Sequence, residues 1–396
     1  MRKLPVPWTN SSEAILTITL LLILIGIINV FSASFVSAGQ LWGDAFYFLK
    51  RHLAALVLGF FALIVAAKMN YRRLQRWTPF IVIGVVALLI AVYVVGIEAN
   101  GARRWLKIGI TFQPSELAKM AAIILTAAYL GPRMEKRRTI TILSGPVLIT
   151  LGMAALVLKQ PDMGTAALIV ALCLVLYWLA GLPNRETFVI IGGAVTLVVY
   201  FATSAAYRAE RISAWLNPWD YQLTTGYQTV QSLLAIGSGG FWGTGLGKGA
   251  SKFYYLPEAH TDFAFAVLCQ ELGFLGAGLV LLLMGGLAWH GMRIALGATD
   301  GFGSMLASGM TVLIIGQAIG NIAMVSGLIP VTGVPLPFIS YGGTSLLINM
   351  AAIGLLVSVG KQQQTQTEKD SVAVVKDDLP QQRKLRLLSR NRLGKQ

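Results

Sequence analysis

Ala14-Ile15-Leu16-Thr17-Ile18-Thr19-Leu20-Leu21-Leu22-Ile23-Leu24-Ile25-Gly26-Ile27-Ile28-Asn29-Val30-Phe31 contains no ionisable side chain. An apolar run of about 18 residues or more is long enough to cross hydrocarbon as a helix. Arg2 and Lys3 precede it, and Ser32-Ala33-Ser34 loosely resembles a cleavage site. A secretory signal has an apolar core of only about 7–15 residues. The run therefore reads as a retained first helix.

Comparable runs recur along the chain, and about ten spans are expected. They lie near 14–34, 53–69, 78–97, 115–130, 140–158, 163–181, 187–204, 263–289, 303–325 and 341–359. The runs lack the alternation of barrel strands, so helices are the only spanning solution. The expected fold is an all-α polytopic membrane protein with a long extracytoplasmic loop between helices seven and eight. Its parts are a cytoplasmic N-terminus (1–13), a membrane domain (14–360, with the loop at 205–262) and a basic cytoplasmic tail (361–396).

Composition agrees. Of 396 residues, 55% are hydrophobic and only 12% charged, with a mean hydropathy of +0.67. A net charge of +15 in a soluble chain would suggest nucleic acid. Here basic residues collecting in cytoplasmic loops account for it, so no nucleic-acid partner is expected. Cys173 and Cys269 fall inside spans, and no disulfide framework is implied.

With the N-terminus inside, the inner loops carry Arg72, Arg73, Arg76, Arg133, Lys136, Arg137, Arg138, Arg185 and Arg293, and the tail carries more. This majority supports N-in, C-in. The nine Trp fall in loops or near span ends, as an interfacial belt requires. The outer face still holds Lys50, Arg51, Arg103, Arg104, Lys107, Lys159, Arg208, Arg211, Lys248 and Lys252, an excess the orientation rule does not demand. Two readings fit it: a lining for an anionic head group, or side chains snorkelling to lipid phosphate.

The 205–262 loop is rich in Gly, Tyr and Trp, and Thr229 to Ile236 is apolar enough for a short interfacial helix. Within it, Gly243-Thr244-Gly245-Leu246-Gly247-Lys248-Gly249-Ala250 imitates a nucleotide loop. No strand–turn–helix unit surrounds it, and Trp242 and Gly249 occupy positions where a Walker A motif needs Gly and Ser/Thr. Nucleotide binding is rejected; a flexible loop presenting Lys248 remains.

Gln113-Pro114-Ser115-Glu116-Leu117-Ala118-Lys119 opens the fourth span. Ser115 and Glu116 suit a helix start. Lys119, one turn deeper, does not, and an i, i+3 pair with Glu116 is expected. Ionisable groups inside a membrane mark function by default. Asp162 fits two roles, cap of the sixth span or third member of a network with Lys119. Pro257-Glu258-Ala259-His260-Thr261-Asp262-Phe263 stands at the mouth of the eighth span. Thr261 and Asp262 suit capping, and a carboxylate at a helix N-terminus is also held ionised, as a general base needs. Glu258 and His260 are near enough to assist. Pro330 to Gly343, including Ser340, is a Pro/Gly-broken stretch that reads as a re-entrant wall.

Together, Asn100-Gly101-Ala102-Arg103-Arg104-Trp105, Gln113-Pro114-Ser115-Glu116, Gln160-Pro161-Asp162, Pro257 to Phe263 and Pro335-Leu336-Pro337-Phe338-Ile339-Ser340-Tyr341-Gly342-Gly343 resemble the SEDS family (shape, elongation, division and sporulation), over about residues 14–360. Gly43 to Arg51 and Ala259 resemble its division-type members. Cys269-Gln270-Glu271 departs from the Gly-Glu-Glu expected there.

The resemblance implies a peptidoglycan glycosyltransferase acting on lipid II, a disaccharide-peptide on undecaprenyl pyrophosphate. A sugar 4-hydroxyl attacks an anomeric carbon, and undecaprenyl pyrophosphate leaves. The family's catalytic aspartate maps onto Asp262. Substrate is expected to meet Arg51, Arg103, Arg104, Trp105, Glu116, Lys119, Asp162, Arg208, Arg211, Lys248, Glu258, His260 and Ser340. The resemblance also implies a divalent cation (Mg or Mn), with metal ligands unassigned, and a class B penicillin-binding transpeptidase among other division proteins as partners. The rival readings are an elongation- or sporulation-type member of the same family, a lipid II flippase or other transporter, for which broken helices and intramembrane charge are typical, and a scaffold without chemistry.

Overall fold

The structure is a computed structural model, and it describes residues 10–99, 102–108, 110–189, 192–193 and 206–366. The expected seventh span (187–204) lies mostly outside them, as do the N-terminus to Thr9, the Asn100-Gly101 turn and the tail beyond Gln366.

The chain folds as a helical bundle. In order come α1 (Ser11–Trp42), α2 (Tyr47–Lys68) and α3 (Arg72–Val95). Strands β1 (Ile97–Ala99), β2 (Ala102–Ile108) and β3 (Ile110–Phe112) follow, then α4 (Pro114–Glu135), α5 (Gly145–Lys159) and α6 (Met163–Leu179). After them come α7 (Ala206–Leu216), α8 (Tyr227–Gly239), α9 (Ala264–Leu296), α10 (Gly301–Val325) and α11 (Gly343–Gln366). Six of these, α1, α2, α3, α9, α10 and α11, are long and apolar enough to cross a membrane, and α5 and α6 are shorter apolar helices. This is a multi-pass membrane protein.

Composition places each helix in the bundle. In the apolar windows of α10 and α11, 72% and 78% of residues are buried, against 22% in α2 and 28% in α3. The former are the centre and the latter the rim. Rim side chains such as Val57, Phe61, Phe80 and Ile83 stay exposed, which in lipid costs nothing. Without a hydrophobic drive between helices, small residues allow close approach. A Cβ at Gly131 would lie 2.4 Å from the Phe302 amide nitrogen, and one at Gly309 would lie 2.3 Å from Ile123 Cγ2. Glycine there lets α4 and α10 pack antiparallel against each other.

Helix ends follow local chemistry. Asn10 caps α1 by accepting from the Glu13 amide at 2.9 Å. Asp300 caps α10 through the Gly303 amide at 2.7 Å and holds Arg72 at 2.8 Å, tying the 69–72 turn to the 297–300 turn. Helix α1 runs well past the expected limit at 34. Its small residues are used, with Ser32 bonding across to Glu271 and Ser34 back to the Val30 carbonyl.

Two expectations change. The expected all-α fold is interrupted between α3 and α4, where a three-stranded antiparallel sheet ordered β1-β2-β3 stands. The loop 205–262 is substantially helical, and α8 covers the Thr229–Ile236 patch. That patch packs on protein rather than lying free at an interface: Val230, Ser232 and Ala235 are buried, and Ser232 bonds the Val325 carbonyl.

Candidate active site

One end of the bundle gathers the start of α4, the start of α6, the turn before α9 and the stretch 330–342. The turn Leu256–Phe263 is folded on Glu258, which has positive φ (53°). Its carbonyl accepts the amides of Thr261 and Phe263, both at 3.2 Å. Thr261 Oγ1 also donates to the Glu258 carboxylate at 2.7 Å. These bonds displace the expected caps. Phe263 is the N-cap residue of α9, without a side-chain cap bond, so neither Thr261 nor Asp262 caps the helix, and the Asp262 carboxyl is left for other work.

Asp262 is held from two sides. Its carbonyl accepts from Asn321 Nδ2 of α10 at 2.7 Å. The same amide group donates to the Val334 carbonyl at 2.8 Å. Gly333 stands against the carboxylate, where an added Cβ would lie 3.5 Å from Asp262 Oδ2. Burial first, then Glu258 and Asp162, push the Asp262 pKa up to about 7, while Arg104 pulls it down. The residue types alone suggest a carboxylate held ionised by the helix dipole. Burial among carboxylates outweighs that, and the group is poised near neutrality instead.

Arg104 on β2 reaches the 160–162 connection. Its Nε donates to the Gln160 carbonyl at 3.1 Å and its Nη2 to the Pro161 carbonyl. Asp162 caps α6 through the Thr165 amide at 3.1 Å and accepts from Gln113 Nε2, also at 3.1 Å. Of its two candidate roles the cap is the one realised, and its second partner is Gln113 rather than Lys119. Lys119 pairs with Glu116 at 2.7 Å, both side chains at most 5% exposed. Ser115 does not cap α4: Gln113 is the N-cap residue and Pro114 opens the helix, a favoured place for proline.

The re-entrant wall is present. Phe338 has positive φ (66°), and its carbonyl presses on Gly26, mid-way along α1. Ser340 Oγ accepts from the Leu336 amide at 3.0 Å and is buried there. The Tyr341 amide donates to the His260 carbonyl at 2.8 Å, joining the wall to the turn. The His260 ring packs 4.3 Å from Phe48 and 5.8 Å from Tyr341. Burial lowers its pKa, with Glu258 opposing. Arg51 lies over Tyr47 at 4.6 Å, on the same side as Tyr341.

The other expected residues divide. Trp105 is half-buried on β2. Arg103 is exposed and pairs with Glu98 at 3.4 Å. Lys248 is exposed on the glycine loop, with no bond joining it to Asp262. Arg208 and Arg211 lie on α7, and their side chains are outside the described residues. Lys252 does not belong to an open lining: it is buried against Glu271 at 2.6 Å. The roles of Asn321, Gln113 and Gly333 are not evident from sequence. An amide inside an apolar span is the visible signal for Asn321.

Among the described residues no three His, Cys, Asp or Glu side chains converge in a geometry that could hold a metal ion. These residues by themselves therefore do not fit a closed metal centre.

A helical membrane bundle with a half-buried carboxyl at one end, flanked by a guanidinium and two more carboxylates, defines the class. The cell cycle protein family named for FtsW, RodA and SpoVE matches residues 12–365, and the chain belongs to that family. It is 41% identical over 365 residues to stage V sporulation protein E of Bacillus subtilis, covering 89% of this chain and 98% of that one. It is 39% identical to a probable peptidoglycan glycosyltransferase FtsW of a Geobacter species, covering 87% and 95%. Its fold matches a chain solved in a peptidoglycan synthase complex, described as coordinating polymerisation and crosslinking, with TM-score 0.74, 30% identity and coverage of 90% and 99%. RodA of Thermus thermophilus matches with TM-score 0.64, 29% identity and coverage of 88% and 96%.

Proposed function

We propose that this chain is a peptidoglycan glycosyltransferase that polymerises lipid II at the outer face of the cytoplasmic membrane, and that Asp262 is its general base. The observation that carries the reading is the Asp262 carboxyl, free of any capping role, set against Gly333 and among Glu258, Asp162 and Arg104, surroundings that raise its pKa to about 7. A base works best with a pKa near the operating pH. The family and the names of the FtsW relatives support the reaction class.

The chemistry follows from the surroundings. Asp262 takes the proton from an acceptor sugar's 4-hydroxyl, the oxygen forms a bond to the donor's anomeric carbon, and undecaprenyl pyrophosphate departs. An α-linked donor giving a β-linked product needs one displacement, so one carboxylate suffices. Arg104 offsets the carboxylates and faces the leaving pyrophosphate, a task for which guanidinium geometry is suited. Arg51, His260 and Tyr341 gather around the Tyr47 and Phe48 rings and are proposed substrate contacts. Glu258 and Asp162 act on Asp262 electrostatically and are proposed to border the substrate, and Trp105, Arg103, Arg208, Arg211 and Lys248 are proposed outlying contacts. Glu116, Lys119 and Ser340 hold the walls. A divalent cation, Mg or Mn, is the proposed cofactor; when bound it would offset the charge of the substrate's pyrophosphate, and no residue of the chain is assigned to it.

The excess of basic residues in the loops at the opposite end supports a cytoplasmic location for both termini under the positive-inside rule. A class B penicillin-binding transpeptidase is the proposed partner, supported by the crosslinking assembly in which the structural relative was solved. The proposed setting is the division septum. The 41% identity to a stage V sporulation protein supports spore-wall synthesis as the second reading. Polymerisation of purified lipid II by the purified chain with its transpeptidase, with and without Asp262→Asn, tests the activity. Transport of lipid II without polymer would instead make it a flippase.

A further inference from the structure

Lys252 and Glu271 carry charge in a place the reaction does not use. Their side chains are 0% and 2% exposed, and Nζ lies 2.6 Å from Oε1. Ser32 of α1 completes the group, 2.8 and 2.6 Å from the two carboxylate oxygens and 3.3 Å from the ammonium. The next residue back on α9, Gln270, fastens the same segment again. Its Oε1 accepts from the Ser251 amide at 3.1 Å, and its Nε2 donates to Ser238 Oγ at 2.8 Å. The Gly245 amide donates to the Glu271 carbonyl at 3.0 Å. Just beyond, α9 kinks at Gly273 (φ 65°). The strand of chain that delivers the turn 256–262 is thus bound to one turn of α9.

Replacing a buried ion pair by apolar side chains is often neutral or stabilising, so stability alone does not explain these charges. Directionality does. Lys252 sits on the short π-turn Ser251–Tyr255, which closes through the Leu256 amide on the Ser251 carbonyl at 3.0 Å and runs straight into the turn. A slip by one residue strands two charges in a dry interior.

We propose that Lys252 and Glu271 are a positioning pair that fixes the register of the turn 256–262 against α9, and with it the place of Asp262. This rests on the reading of Asp262 as base. The test uses the full-length chain in lipid nanodiscs, co-expressed with the class B transpeptidase of its own organism. Lys252→Met, Glu271→Met, the double variant and the exchange Lys252→Glu/Glu271→Lys are compared for melting temperature, amide exchange over 251–262, and kcat and KM for lipid II. The single variants are expected to melt lower. The double variant is expected to regain the wild-type melting temperature, yet to exchange at 251–262 at least about tenfold faster and to lose about tenfold in kcat with KM little changed. The charge exchange is expected to restore protection at least partly. A double variant with wild-type exchange and kcat overturns the proposal. So does one whose activity falls only in step with melting. Amide exchange needs no turnover, so its outcome is independent of the Asp262 reading, which fails if Asp262→Asn polymerises normally.

Discussion

The side-chain amide of Asn321 donates to the backbone carbonyl of Asp262 at 2.7 Å from within α10, one of the bundle's two most enclosed spans. Its other bond, to the Val334 carbonyl, makes this buried side chain a second link, beside the Tyr341–His260 bond, between the turn 256–262 and the re-entrant wall. Substitution Asn321→Leu leaves both carbonyls without that donor. An unsatisfied buried group costs about 1–3 kcal/mol. The expected result is a lower melting temperature together with reduced polymerisation, while Asn321→Ala adds a cavity and is no milder. Thermal unfolding of the purified chain and a lipid II polymerisation assay check it. Wild-type values for both would show the amide to be idle.

For Asp262 the sign of the pH dependence follows from its environment. Its pKa rises from an ordinary 3.8 to about 7 in the fold. Between those values the native chain keeps a proton that the unfolded chain has lost. This carboxyl's stabilising contribution is therefore full below about pH 4 and lost as pH rises through about 7. The base is the ionised form, so kcat/KM should rise with pH through the same range. Asp262→Asn should lose roughly 10²–10⁴-fold in polymerisation, yet melt at or above the wild-type temperature at pH 8. A flat pH–rate profile from pH 5 to 9 would falsify the assignment.

The Glu116–Lys119 pair lies inside α4, and removing either partner leaves a buried charge. Lys119→Met is expected to cost roughly 3–5 kcal/mol and to reduce expression. Adding Glu116→Leu should recover most of the stability, because the pair as a whole has little net value. The readout is folded yield and melting temperature of the single and double variants. Equal yields of the single variant and wild type would mean that Lys119 is not the partner of Glu116.

Much of this is legible in the residues because lipid leaves few options. Backbone groups must be satisfied within a helix, so apolar runs such as Ala14 to Phe31 announce themselves. The intramembrane Lys119 and the Pro/Gly-broken Pro330–Gly343 wall stand out for the same reason. The small sheet at 97–112 escapes notice because its strands are short and carry mixed side chains. The expected caps fail where a polar residue has a better use: Ser115 accepts from Gln113, and Thr261 bonds Glu258. Asn321, Lys252 and Glu271 are plainly visible, but their partners are far off in sequence. Glu271 meets Ser32 only because α1 packs along α9.

Arg103 and Arg104 are neighbours with opposite expectations. Along β2 successive side chains face opposite sides. Arg103 is exposed and its partner Glu98 is exposed too; such a pair contributes about 0–1 kcal/mol. Arg104 instead spans two carbonyls of the 160–161 connection and lowers the Asp262 pKa. Arg103→Lys should leave polymerisation within about twofold of wild type, the outcome for a surface pair. Arg104→Lys keeps the charge but loses the planar fork, so activity should drop while the pH profile holds its midpoint. Arg104→Met removes the cation that pulls the Asp262 pKa down, so the remaining activity should need a more alkaline pH. The check is a pH–rate profile for each variant beside lipid II affinity in nanodiscs. If Arg104→Met left both the midpoint and the affinity unchanged, the guanidinium would be a clamp on the 160–162 connection and nothing more.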